Sequence, residues 1–325
     1  MSRAGNGLKP ALLHVRKRLS AGLRRRLRPG APEPGYVAMT PPAPAPDRAG
    51  ICIVSVFKDE APYFAEWITF HRMLGVRAFI LYDNGSTDES RAVLAPFEAE
   101  GVVRVVDWRV FTDLERPQGL AHAHAVVNYG AAYRWMACID VDEFLFPLAG
   151  DSLPATLGDY AHLPSLSLPW FNFGPNGHVE KPPGLVIENY RERAVYPFRS
   201  DQYSLVRHKT LVDPSRVSAA GTHLHAIDGG PPASFNERGE RITRETARDF
   251  RLQCCERLRL NHYFTRSEAE MARKLAKGRV SRRGAVAMNA LDNRLRQYRL
   301  ATERDDAIQR FVPALKAALR ADQPR

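Results

Sequence analysis

This 325-residue chain has no run of 18 or more apolar residues, which excludes a membrane-spanning helix of ordinary length. It has no glycine-rich phosphate loop in its first half, neither G-x-G-x-x-G nor G-x-x-x-x-G-K-S/T. A nucleotide bound there must have its phosphates neutralised by other means. Cysteine is scarce at four residues. Cys52 and Cys138 lie inside apolar runs, and the adjacent pair Cys254 and Cys255 lacks zinc-ligand spacing. Buried thiols in a reduced, cytoplasmic protein are the expectation. No internal repeat occurs, and charge interrupts the apolar positions near Leu12, so no secretory leader is expected.

Charge is abundant but uneven. Of the net +11, residues 1–48 hold +8, from ten basic residues against Glu33 and Asp47. The basicity therefore belongs to an arm and says little about the body. Within the arm, Leu8, Leu12, Val15, Leu19, Leu23 and Leu27 recur every three or four positions. Arg and Lys fill the other face, as on a helix lying on an anionic membrane surface. A solvated arm that sticks loosely to anionic polymer is the plainer alternative; no specific nucleic acid is expected. A proline-rich linker covers 29–46, and the folded body should begin near Gly50.

From there strands and helices alternate. Ile51–Phe57, Ala78–Tyr82, Val102–Trp108 and Trp135–Ile139 read as strands one to four. Helices are expected from Pro62 to Gly75, over Glu89–Ala99 and over Gln118–Ala132. This rhythm implies α/β architecture with a mostly parallel sheet and helices on both faces. After Phe146 loops dominate, with short strands expected at Ser165–Trp170, Gly184–Tyr190, Lys209–Val212 and Arg257–Leu260. Ser267 and Glu270 stand in capping-box spacing at the head of a helix reaching Gly278, with further helices over Leu291–Arg299 and Ala307–Leu319. The organisation expected is an arm and linker (1–48), a nucleotide-binding half (49–146), an acceptor-binding half (147–265) and C-terminal helices (266–325).

The chemistry should lie where strands leave the sheet. Strand one runs into Lys58-Asp59-Glu60, strand two into Asp83-Asn84-Gly85-Ser86-Thr87-Asp88, and strand four into Asp140-Val141-Asp142-Glu143. On an extended chain Asp140 and Asp142 would point the same way and hold a divalent metal that grips a diphosphate. Asp-x-Asp by itself is also a common solvated turn.

Three ordered segments carry a family resemblance: Val54-Ser55-x-x-Lys58-Asp59-Glu60, Trp67-Ile68-x-x-His71-x-x-Leu74-Gly75 and Tyr82-Asp83-Asn84-x-Ser86-x-Asp88. The likeness continues through Gln118, Trp135, Asp140-x-Asp142-Glu143-Phe144, Trp170-Phe171-x-Phe173-Gly174, His178, Lys209, His223-x-His225, His262-Tyr263 and Lys274. Together they resemble GT-A glycosyltransferases, within the family 2-like and family 92 group, over about 50–280. The resemblance implies a GT-A-like sheet and a sugar-nucleotide donor, UDP-linked or another nucleoside diphosphate. It implies Mn²⁺ or Mg²⁺ on Asp140 and Asp142, completed by a late histidine: His262, His223 or His225. Asp83 would contact the nucleoside, with Asp59, Glu60, Asn84, Asp88, Gln118, Asp140 and Lys209 lining the donor site. The acceptor would be a glycan or a lipid-linked glycan.

Sugar transfer passes through a cation-like anomeric carbon as diphosphate leaves, and a metal takes up the departing charge. An inverting reaction also needs a carboxylate base on the acceptor side. Glu188 is the first candidate and Asp201 the second; Trp170 and Phe173 are candidates for stacking on a sugar. Two rivals remain open at this stage. One is another nucleotide-dependent metal enzyme, a nucleotidyltransferase or phosphoesterase. The other is a non-catalytic protein that binds anionic polymer through its arm.

Overall fold

The computed structural model describes residues 35–109, 117–196, 207–276 and 302–321. The expected helices at 8–27 and 291–299, and Asp201, lie outside these ranges. At the centre is a sheet of eight strands, numbered here in chain order: β1 Ile51–Phe57, β2 Val76–Asp83, β3 Val103–Asp107, β4 Trp135–Cys138, β5 Glu143–Pro147, β6 Ser165–Asn172, β7 His208–Val212 and β8 Leu258–His262. Their spatial order is β3-β2-β1-β4-β7-β6-β8-β5. β3, β2, β1 and β4 run parallel. β7 is antiparallel to both its neighbours, β6 and β8 are parallel, and β5 closes the edge antiparallel to β8. The sheet is mixed and mostly parallel, and it draws strands from both sides of Phe146.

Alternation along β1 explains the layering. Ile51, Ile53 and Phe57 enter one core with α1 (Ala61–Met73) and α2 (Ser90–Ala99), through Phe64, Trp67, Ile68, Leu94 and Phe97. Cys52, Val54 and Val56 enter the other with α3 (Pro117–Tyr129), through Ala121, Ala125 and Val126. A strand buried on both faces reads as a near-continuous apolar run, interrupted in β1 only by Ser55, which is why β1 is legible in sequence. The C-terminal helix α7 (Val312–Ala321) follows a 3₁₀ turn whose Phe311 packs edge-on against Phe70 of α1 at 5.6 Å.

One expectation needs correction, and two features were not anticipated. Gly184–Tyr190 is not a strand: Val186–Asn189 forms a short helix, α5, because the buried Glu66 carboxylate accepts the Val186 and Ile187 N–H groups at 2.8 and 3.1 Å. That carboxylate occupies the helix N-terminus, where unpaired donors and the dipole favour an anion. Strand β5, which starts within the acidic motif, was missed, since its acids look like a loop. The five-stranded antiparallel sheet beyond it was missed as well. That sheet takes the order Val37–Ala38, Val217–Ala220, His225–Ile227, Pro232–Phe235, Arg241–Thr243. Its strands are only two to four residues long, too short for period-2 patterning to register.

The capping box is formed as expected. The Ser267 hydroxyl accepts the Glu270 N–H at 3.2 Å, and the Glu270 carboxylate accepts the Ser267 N–H at 3.0 Å, at the head of α6 (Glu268–Ala276).

Candidate functional site

Because β2, β1 and β4 are parallel neighbours, their acidic ends share one edge. The first two ends knit together. The Asp59 carboxylate, on a residue with φ 53°, accepts the Thr87 N–H at 2.6 Å. The Asp83 carboxylate accepts the Ser86 N–H at 2.8 Å, and that of Asp88 accepts the Ala61 N–H at 3.0 Å. These three acids shape the loop walls. Asp83 and Asn84 are buried, and Asn84 Oδ1 has no hydrogen-bond partner. Glu60 pairs with Arg266 at 3.0 Å.

The third end departs from the extended geometry expected. Asp140-Val141-Asp142 is a turn, closed by the Glu143 N–H donating to the Asp140 carbonyl at 3.0 Å. The two aspartates therefore diverge toward different cations. Asp140, partly exposed, pairs with Lys209 Nζ at 2.9 Å and accepts a long 3.4 Å bond from Gln118. Asp142, buried, pairs with Lys274 of α6.

Strand register supplies the remaining parts. In the β5–β8 pair, His262 stands opposite Glu143; in the β8–β6 pair, it stands beside Asn172. Asn172 Oδ1 lies 3.0 Å from His262 Nδ1, while His262 Nε2 lies 3.7 Å from Asp142 Oδ1. An amide oxygen only accepts, so Nδ1 carries the proton and Nε2 keeps its lone pair. Asp142, Glu143 and His262 bring one donor atom each within 4.8 Å of one another.

Burial and charge set the protonation states. Burial lowers the His262 pKa to about 4, despite the opposing pull of Asp142, so the ring is neutral at pH 7. Burial disfavours ionised Asp142, but Lys274, His262 and Arg266 outweigh it and hold the carboxyl below its ordinary range. Burial likewise opposes the charge on Lys209, yet Asp140 and Glu143 prevail and its pKa stands above the ordinary lysine value. Glu143 is driven well up by burial.

These residues fit a divalent cation. Asp142 Oδ1 and Glu143 Oε1 are buried without hydrogen-bond partners, and His262 presents a free lone pair beside them. Two donors 3.7 Å apart both reach one ion at about 2.1 Å. His223 is not in this group; its Nδ1 is 2.9 Å from the His208 carbonyl.

The Trp170 ring lies tilted by 36° against His262 with ring centroids 4.2 Å apart and remains partly exposed above the site. Phe173 is fully buried against Tyr263, which corrects its expected role on a sugar: no face of it is open. Glu188 stands apart from the acidic group, its carboxylate paired with Lys316 of α7 at 2.6 Å.

One residue escaped the sequence reading. Arg266 is buried with φ 48°, its guanidinium over the Tyr63 ring at 3.2 Å, and its Nε and Nη2 lack partners. Only its position before the capping box hinted at a special backbone.

Comparisons with known proteins bear on the family. The model of glycosyltransferase family 92 matches residues 47–258. A rice (Oryza sativa subsp. japonica) protein named for that family is 28% identical over 55% of this chain and 30% of its own. An Arabidopsis thaliana galactan beta-1,4-galactosyltransferase is 30% identical over 53% of this chain and 35% of its own. The chain thus spans about a third of the length of these relatives. Likeness to the solved S. aureus TarS 1-349 in complex with UDP is slight, with a TM-score of 0.33 and 13% identity over 51% of this chain and 47% of that one.

Proposed function

The chain belongs to glycosyltransferase family 92, and from that premise we propose that it moves a sugar from a nucleoside-diphosphate donor, a UDP-sugar foremost, to a hydroxyl of a glycan or lipid-linked glycan. The observation that carries this reading is the pairing of a tautomer-fixed His262 Nε2 with the unpartnered Asp142 Oδ1 at the sheet's ligand-binding edge. Asp142, Glu143 and His262 would hold Mn²⁺ or Mg²⁺, with Asp140 beside them on Lys209, and the ion would supply Lewis-acid neutralisation of the leaving diphosphate.

The chain's own residues do the rest. Lys209 and Lys274 fix the two aspartates and add positive charge at the donor site. Arg266 contributes a guanidinium with two unsatisfied donor atoms, suited to phosphate oxygens. Neutral His262 is ready to ligate at pH 7 without first losing a proton. Trp170 offers an aromatic face beside them, and the loops at the ends of β1 and β2 enclose the nucleoside, with Asp83 and Asn84 toward it. We infer an inverting reaction whose base is a carboxylate of the acceptor side, Glu188 and Asp201 being the candidates. The basic arm over 8–27 would keep the protein at the cytoplasmic face of an anionic membrane.

The test is transfer or hydrolysis of a panel of UDP- and GDP-sugars by purified protein with Mn²⁺. Release of nucleoside diphosphate supports the reading. Release of nucleoside monophosphate or pyrophosphate, or an Asp142→Asn variant as active as wild type, contradicts it.

A further inference from the structure

A second group of donors lies away from the acidic turn. We propose that His122, Cys138 and His225 form a zinc site that ties the small sheet to the floor of the active-site turn. The three residues come from three elements: α3, β4 and the strand His225–Ile227. All are buried, and one donor atom from each lies within 4.8 Å of the others.

The surroundings point to a ligand. His225 is wholly buried, and neither of its ring nitrogens has a hydrogen-bond partner. Buried polar atoms are nearly always satisfied, so a fully buried imidazole with two open nitrogens calls for an occupant. His122 is already set for coordination. Its Nδ1 lies 2.9 Å from the Gly221 carbonyl, which can only accept, so Nδ1 holds the proton and Nε2 keeps its lone pair. An imidazole anchored through its other nitrogen to a backbone carbonyl is the usual support of a metal ligand.

Donor type selects the ion. Two imidazoles and one thiol suit Zn²⁺, whereas Mg²⁺ and Mn²⁺ prefer the oxygen-rich turn nearby. Tetrahedral zinc would draw the donors to roughly 3.4–3.6 Å apart, a side-chain adjustment of about 1 Å. On binding, the Cys138 Sγ–H bond breaks, an Sγ–Zn bond forms and the proton leaves to solvent. The positive charge of Lys209 acting on Cys138 is offset by Asp140. The position matters for the main site: Cys138 precedes Asp140 by two residues, and α3 also carries Gln118, which reaches Asp140.

The experiment uses the full chain, stripped with chelator and titrated with Zn²⁺ and with Co²⁺ as a spectroscopic probe. Expected are one tightly held zinc per chain and a thiolate-to-cobalt charge-transfer band that excess Mn²⁺ does not remove. Cys138→Ser and His225→Gln should abolish both, while Asp142→Asn keeps both, separating this site from the acidic one. Folded wild-type protein that gives no such band, or retention of band and zinc in folded His225→Gln, would overturn the assignment and leave two neutral core histidines. Should Cys138→Ser fail to fold, the wild-type spectrum and the His225→Gln variant still decide.

Discussion

Asn172 fixes the tautomer of His262: its amide oxygen lies 3.0 Å from Nδ1, leaving Nε2 aimed at Asp142 Oδ1 3.7 Å away. The relationship follows from strand register, since β6 and β8 place the two residues side by side. Asn172→Leu removes the acceptor while keeping the number and branching of side-chain heavy atoms. The expected result is a 10–100-fold loss of Mn²⁺ affinity, the usual cost of removing a metal ligand's orienting partner. Calorimetric titration of wild type and variant measures it. Unchanged affinity would separate His262 from the metal.

Lys209 is buried between Asp140 and Glu143, 2.9 and 3.6 Å from them, with its side chain only 2% exposed. Lys209→Met leaves both carboxylates without this partner. Breaking a buried pair from one side costs about 3–5 kcal/mol, the lower end applying here because Asp140 retains some solvent. Urea unfolding of the two proteins checks it, and activity should fall with the misplaced turn.

Glu66 gives stability a pH dependence. Burial raises its pKa from 4.5 to about 7, against the pull of the Val186 and Ile187 N–H groups. Between those values the native state keeps a proton that the unfolded chain has released. Stability therefore falls as pH rises from about 4.5 to about 7, by up to about 3 kcal/mol. Glu66→Gln should flatten that slope. Thermal unfolding across this range reads the difference, and an unaltered slope in the variant would rule the carboxyl out as its source.

Glu188 and Lys316 form a half-exposed pair at 2.6 Å. Such pairs are worth at most about 1 kcal/mol. Glu188→Gln should lower stability by no more than that, and its kcat should stay within about tenfold of wild type. Asp201→Asn provides the comparison. A collapse of kcat in the Glu188 variant alone would instead make Glu188 the base.

The parallel half of the sheet was readable because β1, β2 and β4 are largely buried on both faces and so appear as near-continuous apolar runs. The acidic motif was readable as chemistry but not as shape, since a closing hydrogen bond turned an expected strand end into a turn. His262 was one of three candidate histidines, and only the pairing of β5 with β8 singles it out. Helix α5 was misread because its cap, Glu66, lies 120 residues away in sequence. Neither Arg266 nor the His122–Cys138–His225 group has its partners close by in sequence. Their members meet through tertiary contact, beyond the reach of motif reading.

The central claim is that Asp142 and His262 make the donor site depend on a divalent ion. Melting temperature with and without UDP, each in the presence and absence of Mn²⁺, tests it most directly. The account predicts that UDP raises the melting temperature only when Mn²⁺ is present, and that Asp142→Asn abolishes the rise. Equal stabilisation by UDP without metal, or in the variant, would contradict it.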